Sequence, residues 1–189
     1  MFKLVYPAGP APLMEADSIS GNPEMLPVVE PTGLVVGQTT RAAVHGGSRL
    51  LHPVVHLHII SRYGRIYLQK RSKYKDLYPG FWDTAVGGHV GYGESLEEAL
   101  LREAAEELGI YDFNPTFLQS YVFDCQRESE LVGVFATITG RRITPDGDEV
   151  EDGRYWEIQE IEAAMGKGIL TPNFEQEYLR IKDSLLALL

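Results

Sequence analysis

The sequence lacks several features that define large classes of proteins. It has a single cysteine, Cys125, which excludes an intrachain disulfide, a cysteine-rich zinc site and a CxxC redox motif. No apolar run approaches the roughly 18 residues of a membrane span. Pro7 also interrupts the start of the chain before a secretory apolar region develops. Together these absences predict a cytoplasmic protein that does not enter a membrane.

Positive charge is also scarce. The 17 Lys and Arg residues against 27 Asp and Glu residues give a formal net charge of -10. A surface of this sign repels a phosphate backbone, so the composition argues against a DNA or RNA partner. A small phosphorylated ligand remains compatible with it, because a bound cation can reverse the field within one cleft.

The chain length of 189 residues, with 44% hydrophobic and 23% charged residues, is typical of one globular domain. Residues 1–26 are rich in proline and show little periodicity, which predicts an N-terminal extension with one short strand at 3–6. Residues 27–189 are expected to form the folded domain. Strands are predicted at 27–30, 34–36, 53–60, 65–70, 82–86, 116–124, 131–139 and 153–158, and helices at 95–108 and 172–188. This mixture predicts an α/β or α+β sandwich.

The helix predicted at 95–108 has a clear start and stop. Ser95 followed by Glu98 has the spacing of a capping box, and Gly109 is suited to the residue after the last turn. Three apolar residues fall on one side of this helix and are expected to pack on the sheet: Leu101, Ala104 and Leu108.

A stripe of carboxylates follows the other side of this helix. Glu103, Glu106 and Glu107 stand at i, i+3 and i+4, within about a third of the helix circumference. One interpretation is a solvated acidic face. Against it, like charges at these spacings repel by roughly 0.2–0.5 kcal/mol per pair, and carboxylates in the last turn oppose the helix dipole. Bound divalent cations explain the stripe better, and oxygen ligands favour Mg²⁺ or Mn²⁺.

The segment from residue 88 to residue 110 resembles the Nudix box, G-x5-E-x7-R-E-U-x-E-E-x-G-U, in which U is apolar. All nine specified positions match without a gap: Gly88, Glu94, Arg102, Glu103, Ala104, Glu106, Glu107, Gly109 and Ile110. The resemblance implies the Nudix α/β/α sandwich with a mixed sheet in a single domain. It also implies metal-dependent hydrolysis of a nucleoside diphosphate that is linked to another moiety.

The same resemblance assigns roles to individual residues. It implies that the catalytic set is Glu106, Glu107, Glu103 and Arg102, and that the metal ligands are Gly88 (through its carbonyl), Glu103, Glu106 and Glu107. Glu94 and Arg102 are expected to brace the loop against the helix. The proton of the attacking water would pass to Glu106 or to a loop carboxylate, Glu149 or Glu151. For each loop residue, a solvated turn is the alternative.

Residues 28–110 also resemble the isopentenyl-diphosphate isomerase branch of the superfamily. The shared stretches include residues 41–45, 50–52, 69–73, 78–82, 87–89 and 128–130. The resemblance implies one metal site formed by His45, His52, His89, Glu128 and Glu130, and diphosphate contacts from Arg41, Arg71 and Lys75. Imidazole ligands suit Mn²⁺, Zn²⁺ or Fe²⁺. The alternatives are that each histidine has a structural role and that Arg71, Lys73 and Lys75 lie on a solvated strand edge. His56 and His58 alternate on a strand and are interpreted as structural.

One position departs from the isomerases. Their reaction needs a cysteine as acid and base at the position where this sequence has Gly87, and Cys125 lies elsewhere. Without an acid to protonate the alkene, isomerisation has no evident catalyst. The pattern therefore resembles the isomerase-like Nudix hydrolases.

The predicted function is hydrolysis of a small-molecule diphosphate with Mg²⁺ or Mn²⁺, and a nucleoside diphosphate derivative is the leading substrate class. A prenyl diphosphate is the enzymatic alternative, and a nucleotide-binding sensor without turnover is the other. The resemblance also suggests a homodimer.

Overall fold

The computed structural model of the chain describes residues 2–14, 23–75 and 77–189. Its nine strands among these residues are β1 (Met25–Val29), β2 (Val35–Thr40), β3 (Leu51–Ile60), β4 (Ile66–Arg71), β5 (Trp82–Asp83), β6 (Val86–His89), β7 (Thr116–Asp124), β8 (Ser129–Ile138) and β9 (Val150–Trp156). The helices are α1 (Arg41–Ala43), α2 (Leu96–Leu108), α3 (Ile158–Ala164) and α4 (Pro172–Leu186), and a π-helical turn, Val44–Ser48, follows α1. No helix in these ranges is long and apolar enough to cross a membrane.

The strands form a two-stranded sheet and a seven-stranded sheet. β1 and β2 pair antiparallel, with Met25 opposite Thr40. In the larger sheet the strand order is β5-β4-β3-β8-β7, while β6 pairs with β3 and β9 pairs with β4. A multi-stranded sheet combined with helices confirms the predicted α/β class.

The chain forms two compact units. The first comprises Met1–Val55, Gly88–Leu100 and Gln119–Gly133, and the second comprises His56–Gly87, Leu101–Leu118 and Val134–Leu189. The first unit contains β1, β2 and the loop that precedes α2, whereas the second contains β4, β9, α3, α4 and the last two turns of α2. The predicted boundary between residues 1–26 and 27–189 differs from this division and stays a prediction.

Helix α2 begins and ends where its sequence predicts. The Ser95 amide donates to Glu98 Oε2 (2.8 Å) and the Glu98 amide donates to Ser95 Oγ (3.2 Å), so both halves of the capping box are present. Gly109 has a φ of 65°, which favours glycine and ends the helix. The expected packing of Leu101 is wrong: its side chain is 40% exposed, whereas Leu100 is fully buried. Successive residues of a helix are about 100° apart, so the buried side of α2 includes Leu100 and leaves Leu101 exposed.

Other elements differ from the sequence prediction. The single strand expected at 82–86 is two strands, β5 and β6, and the expected strand at 3–6 is reduced to an isolated bridge between Val5 and Leu34. Helix α3 follows β9 without having been predicted. Its start has a signal that the sequence analysis missed, a capping box formed by Glu157 and Glu160.

Candidate functional site

The three carboxylates of α2 differ sharply in their surroundings. The Glu106 side chain is 61% exposed, whereas that of Glu103 is 15% exposed. Arg102 Nη1 lies 2.8 Å from Glu103 Oε1 and 3.3 Å from Glu106 Oε2, so one guanidinium group bridges both carboxylates. The charge stripe expected from the sequence is therefore balanced in part by the arginine of the same motif.

Glu107 is the buried member of the stripe. The residue is 5% exposed, and its Oε2 atom is buried without a hydrogen-bond partner. Burial, and then the nearby charges of Glu103 and Glu149, raise its pKa to about 8, although Lys75 and a backbone hydrogen bond from Gly87 oppose the shift. Burial also raises the pKa of Glu103, because the ion pair with Arg102 offsets only part of the lost hydration.

The loop between β8 and β9 brings a fourth carboxylate to this site. The Asp146 amide donates to the Glu107 carbonyl (2.9 Å), and the Glu149 amide donates to Asp146 Oδ2 (3.2 Å), so the loop is tied to the end of α2. Glu149 raises the pKa of both Glu103 and Glu107, whereas Glu151 pairs with Lys70 at 3.4 Å. Of the two loop candidates, Glu149 is the one that acts on the helix carboxylates.

A divalent cation would relieve one feature of the second unit. The buried Oε2 atom of Glu107 has no hydrogen-bond partner, which is a costly state, and the charges of Glu103 and Glu149 raise the pKa of this carboxyl group. Hard oxygen donors match Mg²⁺ or Mn²⁺. Gly88, whose carbonyl was expected as a further ligand, is the third residue of β6 and directly follows Gly87.

The three basic side chains predicted to contact a diphosphate, those of Arg41, Arg71 and Lys75, already have acidic partners. Arg71 Nη1 lies 3.2 Å from Asp83 Oδ2, and its Nε donates to the Leu77 carbonyl (3.1 Å). Lys75 forms an ion pair with Glu149. Arg41 Nη1 lies 3.1 Å from Glu24 Oε2, on an exposed surface. Their role in substrate binding stays a prediction.

The predicted histidine cluster lies in the first unit. His45 Nδ1 lies 2.8 Å from Glu128 Oε1, and the His89 ring lies 5.0 Å from that of His45 and 5.4 Å from that of His52. His52 is fully buried. Its Nδ1 contacts the Leu50 carbonyl at 3.0 Å, while its Nε2 is buried without a partner. Burial lowers the pKa of His52, which favours a neutral ring with a lone pair on Nε2. Glu130 is the second residue of β8, and Glu128 lies directly before that strand.

Neither ligand set is drawn together around one point. Across residues 2–14, 23–75 and 77–189, no group of three or more His, Cys, Asp or Glu side chains is close enough to hold a metal ion as arranged. Both predicted sets stay predictions, supported by the unpartnered atoms of Glu107 and His52.

Sequence reasoning missed a buried carboxylate on α4. Glu177 is fully buried, and its Oε2 and Oε1 lie 2.9 Å from His56 Nδ1 and 2.6 Å from His58 Nε2. Although burial alone raises the pKa of Glu177, the two imidazoles hold it well below the usual range for glutamate. The alternation of His56 and His58 was visible, but nothing in the sequence links them to a residue on the last helix.

An open cleft of about 1200 Å³ also lies in the second unit. It is lined by residues that follow α2 and by the end of β8, including Tyr111, Arg141 and Arg142. None of the predicted site residues lines it, so it adds nothing to the carboxylate site.

Comparisons with known proteins identify the family of the chain. Residues 50–174 match the NUDIX domain family. The isopentenyl-diphosphate Delta-isomerase of Mycolicibacterium vanbaalenii is 29% identical over 167 residues, covering 85% of this chain and 92% of the relative. An uncharacterized Nudix hydrolase of Streptomyces coelicolor is 30% identical over 166 residues, covering 87% of this chain and 91% of the relative.

Solved structures show the same fold. The DR0079 protein from Deinococcus radiodurans has a TM-score of 0.72 at 24% identity, covering 83% of this chain and 98% of that chain. The NUDIX domain of Shewanella oneidensis NrtR, solved in complex with ADP ribose, has a TM-score of 0.59 at 18% identity, covering 70% and 87%. Together with the intact box at residues 88–110, the NUDIX match over residues 50–174 and the sequence relatives show that the chain belongs to the Nudix superfamily and resembles its isopentenyl-diphosphate isomerase branch.

Proposed function

We propose that this Nudix protein hydrolyses the diphosphate linkage of a nucleoside diphosphate derivative, using Mg²⁺ or Mn²⁺. Membership of the superfamily and the named relatives support hydrolase activity in general. The observation that carries the finer proposal is Glu107, a buried carboxylate with one unpartnered oxygen beside Glu103 and Glu149. In a protein that binds no cation, this buried and unpaired carboxylate would only cost free energy of folding. In a cation-dependent enzyme, the same carboxylate would serve as a ligand.

The residues divide the work as follows. Glu103, Glu106, Glu107 and the Gly88 carbonyl would hold the divalent cation, which neutralises the diphosphate and lowers the pKa of water when it is bound. Arg102 keeps Glu103 and Glu106 oriented through its two ion pairs. Arg71 and Lys75 would bind phosphate oxygens, exchanging part of their contact with Asp83 and Glu149 for the substrate.

The proton of the attacking water needs an acceptor, and two carboxylates suit this role. Glu106 is exposed enough to contact water directly, and Glu149 lies on a loop that is anchored to the end of α2. We favour Glu149, because its neighbour Lys75 would be drawn to the substrate phosphate and leave the carboxylate available as a base.

Two alternatives receive different support. Relatives named isopentenyl-diphosphate Delta-isomerase favour a test of prenyl diphosphates, but Gly87 offers no acid for isomerisation, so hydrolysis is the expected outcome with such a substrate. A nucleotide sensor without turnover would have no need of three helix carboxylates. A homodimer stays a proposal based on resemblance alone.

The test is phosphate release from a panel of diphosphates with Mg²⁺ and with Mn²⁺. The panel holds ADP-ribose, nucleotide sugars, dinucleotides, nucleoside triphosphates, coenzyme A and isopentenyl diphosphate. We expect turnover of at least one member, and a loss of roughly 100-fold or more in Glu106→Gln and Glu149→Gln. Glu97→Gln, an exposed carboxylate off the stripe of the same helix, is the matched control and should retain full activity.

The possible results distinguish a hydrolase from a sensor and Glu149 from Glu106 as the base. Tight binding of one panel member without turnover would support the sensor instead. Loss of activity in Glu106→Gln but not in Glu149→Gln would move the base to Glu106. Equal loss in Glu97→Gln would show that the effect is not specific to the stripe.

A further inference from the structure

Residues 5–14, which precede the NUDIX match at residues 50–174, are hydrogen-bonded to β2 and to the turn before it. The Val5 amide donates to the Gly33 carbonyl (2.9 Å), and the Val35 amide donates to the Val5 carbonyl (2.8 Å). Farther along, the Met14 amide donates to the Gln38 carbonyl (2.8 Å). These backbone bonds fix residues 5–14 as part of the first unit rather than as a loose extension.

From this position, Tyr6 reaches the loop of the Nudix box. Its hydroxyl accepts a hydrogen bond from the Gly93 amide (3.0 Å) and donates one to the Glu94 carbonyl (3.1 Å). Its ring packs edge to face on Tyr92, with ring centres 5.5 Å apart. The Tyr92 hydroxyl in turn accepts a hydrogen bond from the Ala11 amide (3.1 Å), so Tyr6 and Ala11 both connect the N-terminal residues to this loop.

The bonded backbone groups belong to a tight turn that leads into α2. The Glu94 amide donates to the Gly91 carbonyl (3.0 Å), and the Gly91 amide donates to Glu94 Oε2 (2.8 Å). Gly93 has a φ of 93°, a conformation that favours glycine. Tyr6 satisfies one donor and one acceptor that this turn directs outward, immediately before the N-cap residue Ser95.

Two further bonds that hold this loop run between backbone groups. The Val90 amide donates to the Pro53 carbonyl (3.1 Å), and the Tyr92 amide donates to the Met25 carbonyl (2.8 Å). Tyr6 thus adds a side-chain clamp to these main-chain bonds. The loop joins β6, whose Gly88 carbonyl is the expected ligand of the cation, to α2, which carries the expected carboxylate ligands, so its geometry bears on metal binding.

We infer that Tyr6 is a positioning residue for the loop that joins β6 to α2, and that residues 5–14 help to organise the cation site. This inference rests on the proposed function, since it concerns the same loop. It predicts that loss of the Tyr6 hydroxyl loosens the turn at Gly93 and Glu94 and weakens cation binding. Packing of the ring on Tyr92 would remain, so the fold should persist.

The experiment compares Tyr6→Phe with the wild-type full chain. Tyr63→Phe is the matched control, because Tyr63 is 78% exposed and its hydroxyl has no described hydrogen bond. Three quantities are measured: amide exchange at Gly93, Mn²⁺ affinity by calorimetry, and the dependence of the hydrolysis rate on Mn²⁺ concentration. Unfolding in urea is recorded for each variant.

We expect Tyr6→Phe to exchange the Gly93 amide about 10-fold faster and to bind Mn²⁺ about 3- to 10-fold more weakly, in keeping with the loss of one or two hydrogen bonds. The half-saturating Mn²⁺ concentration should rise by the same factor, while the rate at saturating Mn²⁺ changes less. A residue that only stabilised the fold would lower the rate equally at every Mn²⁺ concentration.

Unchanged Gly93 exchange, or faster exchange with unchanged Mn²⁺ affinity, would overturn the inference. An equal effect of Tyr63→Phe would overturn it as well. If the wild type hydrolyses no panel member, the proposed function fails, yet the exchange and Mn²⁺ affinity measurements still decide the role of Tyr6.

Discussion

The five histidines of the chain form two groups, each around one buried glutamate. In the Glu128 group, made of His45, His52, His89 and Glu128, one imidazole contacts the carboxylate and another keeps a buried, unpartnered Nε2. In the Glu177 group, made of His56, His58 and Glu177, both carboxylate oxygens contact imidazoles within 2.9 Å.

Access to solvent separates the groups further. The His45 side chain is 35% exposed, while the side chains of His58 and Glu177 are fully buried. Each group keeps one buried ring nitrogen without a hydrogen-bond partner, Nε2 of His52 and Nδ1 of His58, so exposure is what distinguishes them. The buried Glu177 group can contribute to stability, whereas the partly exposed His45 would let a ligand from solvent reach the Glu128 group. Similar residue types therefore serve different ends, according to how far each group is open to solvent.

The largest expected effect on stability comes from a substitution in the Glu177 group. Glu177→Gln removes the charge that both imidazoles contact and leaves buried polar groups poorly paired. We expect the free energy of unfolding in urea at pH 7 to fall by about 3 kcal/mol. Asp183→Asn, an exposed change on the same helix, should stay within about 0.5 kcal/mol of the wild type. A fall below about 1 kcal/mol for Glu177→Gln would mean that the cluster is not energetically important.

This difference also marks what the sequence could predict. The box and α2 depend on spacing within 23 residues, and the capping box at Ser95 and the stop at Gly109 are local, so they were predicted. Glu177 lies 121 residues from His56 along the chain, and no local pattern relates the two. Glu149 likewise joins the carboxylates only through the loop bonds to the end of α2. Long-range contacts of this kind are fixed by the tertiary packing and not by any pattern within one segment.

A smaller effect should appear in acid, where Glu177 takes up a proton in the unfolded chain before it does so in the folded protein. His56 and His58, both on β3, face this carboxylate and hold its pKa below the usual value, so the stability that it contributes is present above the pKa of the unfolded chain. Below pH about 4.3, the unfolded chain takes up a proton that the folded carboxylate does not. The stability difference between wild type and Glu177→Gln should therefore be constant near pH 5 and shrink as the pH falls toward 3.5. Urea unfolding at each pH measures it, and a difference that grows in acid would contradict the assignment.

The smallest effect on stability is expected from a substitution in the Glu128 group. His45→Asn removes a partly exposed partner of Glu128, so the free energy of unfolding should fall by only about 0.5–1 kcal/mol without added metal.

If the Glu128 group binds a cation, Zn²⁺ should raise the Tm of the wild type, because a ligand that binds only the folded state stabilises it. His45→Asn should reduce that rise, while Glu177→Gln should retain it despite its lower starting Tm. Equal Zn²⁺ responses in wild type and His45→Asn would show that the exposed ring and the unpartnered nitrogen of His52 do not form a metal site, and the two groups would then differ only in how strongly they hold the fold.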